Sequence, residues 1–290
     1  MRGIIYALLA TISYSSTPTF TQLGYKGGIQ TNTLLFSRHL ISLIFLFPTL
    51  LKSDTFKGLK RDQILGLLLL SCFSIAGNLA FNYAYRYLPN MVSVSVSLTY
   101  IVIVFIMEIL LGREKLTPLR GLVILMTALG MFIISDPSGS SGLNMKAFLV
   151  GIVASMIYST QVCFINSRIM KDVPTNVILL TGIIPITVFS FIRIMIYGEP
   201  LLPSGTTQWI AILCLGTIGV IVARGLFFES IKLIGASRAS MIDSLEPLSS
   251  AVLGYVFLRQ GLTLTTVVGS VLMMLSVLIL LKERSSKEKQ

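Results

Sequence analysis

The chain has 290 residues, of which 54% are hydrophobic and 12% are charged, and its formal net charge is +11. Soluble domains average about 25% charged residues, so a chain with half that share does not expose most of its surface to water. Nucleic-acid-binding proteins gather basic residues into a patch or stripe. Here the basic residues are scattered between long apolar segments, which excludes nucleic acid as the partner and indicates a protein that lies in a lipid bilayer.

Ten apolar segments are long enough to cross a bilayer, which takes about 20 residues of helix. They cover residues 3–23, 33–51, 63–83, 91–111, 119–135, 147–168, 175–197, 208–228, 237–258 and 263–281. The first segment has a basic start but no small-x-small cleavage site, so we expect a span rather than a signal peptide. The sequence therefore predicts an all-α integral membrane protein with ten transmembrane helices and a polar tail at 282–290.

The Lys and Arg residues are distributed unevenly over the connections between these spans. With the N-terminus in the cytoplasm, sixteen of them lie on the cytoplasmic side and four on the outer side. The positive-inside rule therefore predicts that both termini are cytoplasmic. Since no organelle signal is evident, we expect a bacterial inner membrane as the location.

Short matches recur along the chain at a nearly constant offset. The segment YSST at 14–17 resembles YSTQ at 158–161, and LT at 116–117 recurs at 262–263. Five spans in each half is an odd number, so the second half must insert in the opposite orientation to the first. We expect an inverted 5+5 repeat, with one copy at 3–135 and the other at 147–281. Inverted repeats with a site between them are typical of secondary transporters.

Charged residues inside the spans are the strongest candidates for function. Asp243 and Glu246 are three residues apart, a spacing that places both carboxylates on one face of a helix, and Arg38 and Arg224 also fall within or near spans. Intramembrane charges are costly, and they usually face a bundle interior or a watery cavity. The alternative is a buried ion pair that only fixes the positions of helices.

Uncharged polar residues extend this set. Asn78 and Asn82 are one helical turn apart, and Tyr100 follows Ser93 and Ser97 in a stripe that alternatively serves close helix packing. The predicted cavity residues are Tyr14, Arg38, Asn78, Asn82, Tyr100, Tyr158, Gln161, Arg224, Asp243 and Glu246.

Three prolines interrupt the predicted spans, at Pro18, Pro185 and Pro247. Each removes an N–H group and clashes with the carbonyl four residues earlier, which frees the oxygens of Tyr14, Thr181 and Asp243. These prolines are candidate hinges, and the alternative is a static kink whose freed carbonyl is satisfied by neighbours.

Motifs for enzymes and cofactors are not evident. Cys72, Cys163 and Cys214 lie in apolar segments without metal-ligand spacing, and the single His39 has no second ligand nearby in sequence. We therefore expect no metal, no cofactor and no catalytic residue.

Residues 81–134 and 226–280 resemble the second part of an EamA domain, the repeat unit of the drug/metabolite transporter superfamily. Arg38 falls where that family often has an arginine, and Leu245-Glu246-Pro247 matches its LEP-type element. The resemblance implies ten helices in an inverted 5+5 repeat around a central cavity. Two departures are Tyr14, where the family often has Trp, and Arg259-Gln260, where it often has a Gly-Glu pair.

These observations predict a secondary transporter of small organic metabolites, such as an amino acid or a similar zwitterion, that works by alternating access. A proton or an exchanged solute is the expected coupling partner, and both a monomer and a homodimer are compatible with the sequence. The alternative hypothesis is a membrane scaffold or partner subunit whose charges are structural. An intramembrane enzyme is a third hypothesis, for which the sequence offers no catalytic constellation.

Overall fold

The chain folds almost entirely into helices. The computed structural model describes residues 2–50, 56, 58–88, 90–135, 144–259 and 264–287, and these residues contain no strand, so the all-α prediction is confirmed. The helices are α1 (Arg2–Tyr14), α2 (Ser16–Lys26), α3 (Thr31–Leu50), α4 (Arg61–Tyr87), α5 (Asn90–Leu110), α6 (Pro118–Ser135), α7 (Met145–Ile165), α8 (Thr175–Tyr197), α9 (Thr206–Cys214), α10 (Arg224–Ile234), α11 (Ala236–Asp243), α12 (Glu246–Leu258) and α13 (Leu264–Lys287). A π-helical segment, Leu215–Ala223, joins α9 to α10.

Five helical stretches among the described residues are long and apolar enough to cross a membrane. They are α4, the part Val92–Leu110 of α5, α7, α8, and the continuous stretch Thr206–Ile234 that runs from α9 to α10. The chain is therefore a multi-pass membrane protein, while the count of ten spans stays a prediction. The last helix continues to Lys287, beyond the predicted end of its span at 281.

Polar and apolar residues are distributed as a bilayer requires. Large apolar side chains such as Leu110, Phe132 and Ile196 are exposed on the outside, whereas Arg38 and Asp243 are buried inside. Lipid replaces water as the outer solvent, so polar groups are stable only where protein or enclosed water satisfies them. The polar groups that could form a functional site therefore lie in the interior.

Two of the predicted spans are each divided into two helices at a proline. Helix α1 ends at Tyr14 and α11 ends at Asp243, and a proline lies four residues after each, at Pro18 and Pro247. Because that proline cannot bond to the carbonyl and clashes with it, the helix ends there. The breaks lie where the prolines predicted them. Asp243 and Glu246, however, lie on consecutive helices, so the expectation that one continuous helix carries both is wrong.

The third proline has a different effect. Pro185 lies inside α8 without dividing it. The carbonyl of Thr181, which the proline leaves without its helical partner, accepts a hydrogen bond from the Ser71 hydroxyl of α4 at 2.8 Å. This contact supports the interpretation of Pro185 as a static kink satisfied by a neighbouring helix.

The π-helical segment approaches α3 closely. A methyl group on Gly216 would lie 2.6 Å from the backbone oxygen of Arg38, and the Ser42 hydroxyl donates to the Gly216 carbonyl at 2.8 Å. Only glycine allows this approach. π-Helical turns are rare and are frequently found at functional sites, and this one ends directly before Arg224.

The helices pack in a reciprocal pattern. Helix α3 packs on α8, and α6 packs on α13. Helix α4 packs on α7, while the pair α1 and α2 packs on the stretch from α9 to α10. Likewise α5 packs on α7, while α11 and α12 pack on α1 and α2. The contacts between the first six helices and the last seven therefore have counterparts in which the two halves of the chain exchange roles.

The close contact between α6 and α13 gives a test of this packing. A methyl group on Gly130 would lie 2.5 Å from Met273 Cγ and 2.8 Å from the Gly269 backbone oxygen, whereas one on Gly121 of the same helix meets nothing nearer than 4.0 Å. We expect Gly130→Ala to lower the free energy of unfolding by about 1–3 kcal/mol because the backbone oxygen cannot move aside easily. Gly121→Ala is the matched control and is expected to be neutral or slightly stabilising. Denaturant unfolding in mixed micelles measures both, and equal stability of the two variants would contradict this packing.

Candidate functional site

A cavity lies in the middle of the protein, between helices from both halves of the chain. Its volume is about 850 Å³, including the part that opens to the outside of the protein. All ten predicted cavity residues line it, namely Tyr14, Arg38, Asn78, Asn82, Tyr100, Tyr158, Gln161, Arg224, Asp243 and Glu246.

The Asp243 carboxylate is satisfied by the protein itself. The Tyr100 hydroxyl donates to its Oδ2 at 2.6 Å, and the Thr11 hydroxyl donates to its Oδ1 at 2.9 Å. Asp243 is 2% exposed and ends α11, where the helix dipole disfavours a negative charge. Two donors from α5 and α1 offset this cost, so Asp243 ties three helices together.

Glu246 lines the same cavity but has no such partners. It is 7% exposed, and no group in the described part of the chain donates a hydrogen bond to its carboxylate or forms an ion pair with it. Glu246 lies in the first turn of α12, where the helix dipole favours a negative charge. It is therefore the carboxylate that remains available to a ligand.

Two arginines converge on the amide oxygen of Asn78. Arg38 Nη2 donates to Asn78 Oδ1 at 2.7 Å, and Arg224 Nη2 donates to the same oxygen at 3.3 Å. No nitrogen of either arginine lies within 4.0 Å of a carboxylate oxygen among the described residues. The cavity therefore holds two positive groups and two acidic residues that do not pair with each other.

Aromatic side chains form another part of the lining. The hydroxyls of Tyr14 and Tyr158 are 3.3 Å apart, and the ring centroids of Tyr100 and Tyr158 are 4.9 Å apart in an edge-to-face arrangement. Tyr14 also packs edge-to-face against Phe227. The charged groups thus share the cavity with an apolar surface that carries a few hydroxyls.

Some residues of the site were missed by the sequence analysis. Tyr85 lines the cavity and lies three residues after Asn82, on the same face of α4, so the helical period of Asn78, Asn82 and Tyr85 was a usable signal. Thr11 donates to Asp243 from a position 232 residues away in sequence, and no local pattern indicates that contact.

The amides and Gln161 are held in place by α4. Gln161 Nε2 donates to the Ser74 hydroxyl at 3.0 Å, Asn78 Nδ2 donates to the Ser74 carbonyl at 2.7 Å, and Asn82 Nδ2 donates to the Asn78 carbonyl at 2.7 Å. None of the three candidate hinges lines the cavity. Pro18 and Pro247 directly follow the lining residues Thr17 and Glu246, whereas Pro185 lies inside α8 away from any lining residue in sequence. The described residues contain no cluster of His, Cys, Asp and Glu that could hold a metal ion.

Comparison with known proteins gives consistent matches over most of the chain. A profile described as the EamA-like transporter family matches residues 1–136 and 145–282. An uncharacterized transporter of Archaeoglobus fulgidus is 29% identical over 242 residues, which are 80% of this chain and 81% of that protein. The uncharacterized transporter YxxF of Bacillus subtilis (strain 168) is 26% identical over 293 residues, covering 98% of this chain and 91% of that protein. A solved crystal structure superposes with a TM-score of 0.75 over 97% of this chain and 98% of that chain at 16% identity, which shows a shared fold.

The hydrogen bonds to Asp243 give a test of the site geometry. Tyr100→Phe removes one of the two donors to a buried carboxylate, and we expect it to lower the free energy of unfolding by about 2 kcal/mol. Tyr255→Phe on α12, where the side chain is 60% exposed, is the matched control and should have little effect. The cost of Tyr100→Phe should shrink when Asp243 is replaced by Asn, as a double-mutant cycle measures. An unchanged cost in that background would show that the hydroxyl does not act through Asp243.

Proposed function

The chain belongs to the EamA-like transporter family, and from this premise we propose that it carries small organic zwitterions, such as amino acids, across the membrane by alternating access. As a member of this family the chain is a membrane transporter. The substrate class and the mechanism are our proposal.

The observation that carries the proposal is that two arginines and an acidic residue line one cavity without pairing with each other. Arg38 and Arg224 share only a neutral amide oxygen, and Glu246 has no partner among the described residues. Leaving a charge buried and unpaired is costly, so a purely structural arrangement would bring these groups into contact. A ligand with both a carboxylate and an ammonium group satisfies both sides at once.

The structure favours particular roles for the charged residues. The arginines present N–H groups that suit a carboxylate. Glu246 is better suited than Asp243 to bind an ammonium group or a coupling proton, because the oxygens of Asp243 already accept hydrogen bonds from Tyr100 and Thr11. The tyrosines that surround these groups provide apolar surface for the rest of the solute.

The reciprocal packing supports an inverted 5+5 repeat with copies at 3–135 and 147–281. Residues that are equivalent under a two-fold axis contact each other only near that axis. Four hydrogen-bonded pairs are separated by nearly the same number of residues, namely 144 for Tyr14 and Tyr158, 143 for Tyr100 and Asp243, 146 for Asn78 and Arg224, and 149 for Thr127 and Ser276. These separations are close to the offset of the sequence matches, and the first three pairs line the cavity.

The divided helices suit a carrier that rocks around a central site. Helices α1 and α2 pack against α11 and α12, so the breaks at Ser15 and at Ser244–Leu245 belong to neighbouring segments. Discontinuous helices at the interface between repeats are typical of secondary transporters. In this mechanism Pro18 and Pro247 are the hinges, while Pro185 is a fixed kink. The Lys and Arg distribution supports cytoplasmic termini, and a bacterial inner membrane stays our proposal for the location.

Flux measurements in liposomes test this function. We expect wild type to move labelled amino acids, and Glu246→Gln to lower that flux about tenfold or more because an ion-paired hydrogen bond to the ammonium group is lost. Glu229→Gln on α10, a residue that does not line the cavity, is the matched control. If Glu246 also binds the coupling proton, the variant should lose the pH dependence of transport.

Two outcomes would contradict the proposal. If folded wild type moves none of the zwitterions tested, zwitterions are not its substrate class. Wild type whose thermal stability responds to no ligand, while Glu246→Gln and Arg38→Met change stability alone, would instead favour the scaffold hypothesis, since any ligand that binds the native state raises its apparent stability.

A further inference from the structure

The two arginines and Asn78 form an arrangement that a structural role alone does not explain. Both guanidinium groups donate to the same Asn78 Oδ1. A neutral amide oxygen has two lone pairs and can accept from both, but it does not offset the repulsion between two positive groups. Nearby cations in a poorly solvated site favour the binding of an anion.

A hydrogen bond of the Asn78 amide nitrogen fixes the orientation of the side chain, so that its oxygen faces the arginines. Its Nδ2 donates to the Ser74 carbonyl one turn earlier on α4, at 2.7 Å, and Asn78 is 6% exposed. Because the amide nitrogen is held by the helix, the oxygen is the end that faces Arg38 and Arg224. The arrangement holds the arginines in position without neutralising them.

Much of the bonding capacity of Arg38 is unused. Arg38 is 4% exposed, and its Nε has no hydrogen-bond partner within the described ranges. A guanidinium group has five N–H donors in a planar fork that matches a carboxylate. Arg38 therefore keeps donors for a further acceptor, and the cavity that it lines is where such an acceptor can arrive.

We propose that Arg38 and Arg224 together form one carboxylate-binding site, in which the Asn78 side-chain oxygen occupies the position of a substrate carboxylate oxygen until the substrate displaces it. Asn78 is then a specificity-determining residue. A neutral amide yields to a carboxylate, which bonds to arginine more strongly, whereas a solute without an anionic group does not displace it. The inference rests on the proposed function only in taking the anion to be part of a transported zwitterion.

Substitutions of Asn78 test this role. Asn78→Asp places a permanent carboxylate between the arginines, so it should stabilise the protein but remove binding of an external carboxylate. Asn78→Leu has a similar size and no acceptor, so it should destabilise the protein but retain or increase that binding. If Asn78 only held the helices together, the more stable variant would also bind the carboxylate better. Our proposal predicts the opposite, because the more stable variant, Asn78→Asp, should bind it worse.

The binding probe is propionate, with propionamide as its neutral counterpart at equal ionic strength. Thermal unfolding in detergent should show that propionate, but not propionamide, raises the midpoint for wild type and for Asn78→Leu. In Asn78→Asp the apparent dissociation constant for propionate should rise about tenfold or more. Asn176→Asp on α8, the same substitution at a residue outside the cavity lining, is the matched control and should respond like wild type.

The outcomes separate the inference from the proposed function. Wild type that responds equally to propionate and propionamide, or Asn78→Asp that keeps the full response, overturns the shared carboxylate site. A carboxylate response in wild type that Asn78→Asp loses, combined with no amino acid flux in liposomes, supports the shared site and rejects the zwitterion as substrate. If Asn78→Leu does not fold, the comparison of wild type with Asn78→Asp still decides.

Discussion

The cost of a charge in an apolar body is the constraint on which the rest of the structure depends. Asp243 meets it with hydrogen bonds from Tyr100 and Thr11, and these bonds tie α11 to α5 and α1. Glu246, Arg38 and Arg224 do not offset this cost by pairing with one another. The protein thus satisfies Asp243 from within and leaves the other groups facing a cavity without partners of opposite charge.

The break between α11 and α12 explains why two acids so close in sequence differ. Asp243 ends one helix, where exposed carbonyl groups disfavour a negative charge, and Glu246 begins the next, where free N–H groups favour it. Pro247 fixes the position of this break, because the helix cannot continue past the carbonyl four residues before it. Because of this one proline, Asp243 lies at a helix end where it requires side-chain donors. Glu246 lies at a helix start where it can remain without them.

Sequence reasoning succeeded where the physical signal was local. Polar and charged residues within apolar spans predicted the lining of the cavity, and the prolines predicted the two helix breaks. It failed where the cause was distant in sequence. The contact of Thr11 with Asp243 and the close approach of Gly216 to α3 depend on how the helices assemble, and no spacing along the chain reports them. The expectation that one continuous helix carries Asp243 and Glu246 was wrong because Pro247 ends the first helix, although both residues line the same cavity.

Under the proposed function, the same constraint bears on how transport is coupled. A conformational change that closes the cavity also removes its remaining water, which strengthens the penalty for every unpaired charge inside. An empty cavity closes around Glu246 and two arginines without counter-charges, whereas a bound zwitterion neutralises both sides. A ligand shifts a conformational equilibrium only by its differential affinity for the two states, and in the proposed mechanism a drier closed state increases that difference. Under this proposal the empty carrier returns slowly unless a second solute fills the site. An exchanged solute therefore suits this charge distribution best, because a proton on Glu246 removes the charge of the acid but leaves both arginines without a counter-charge.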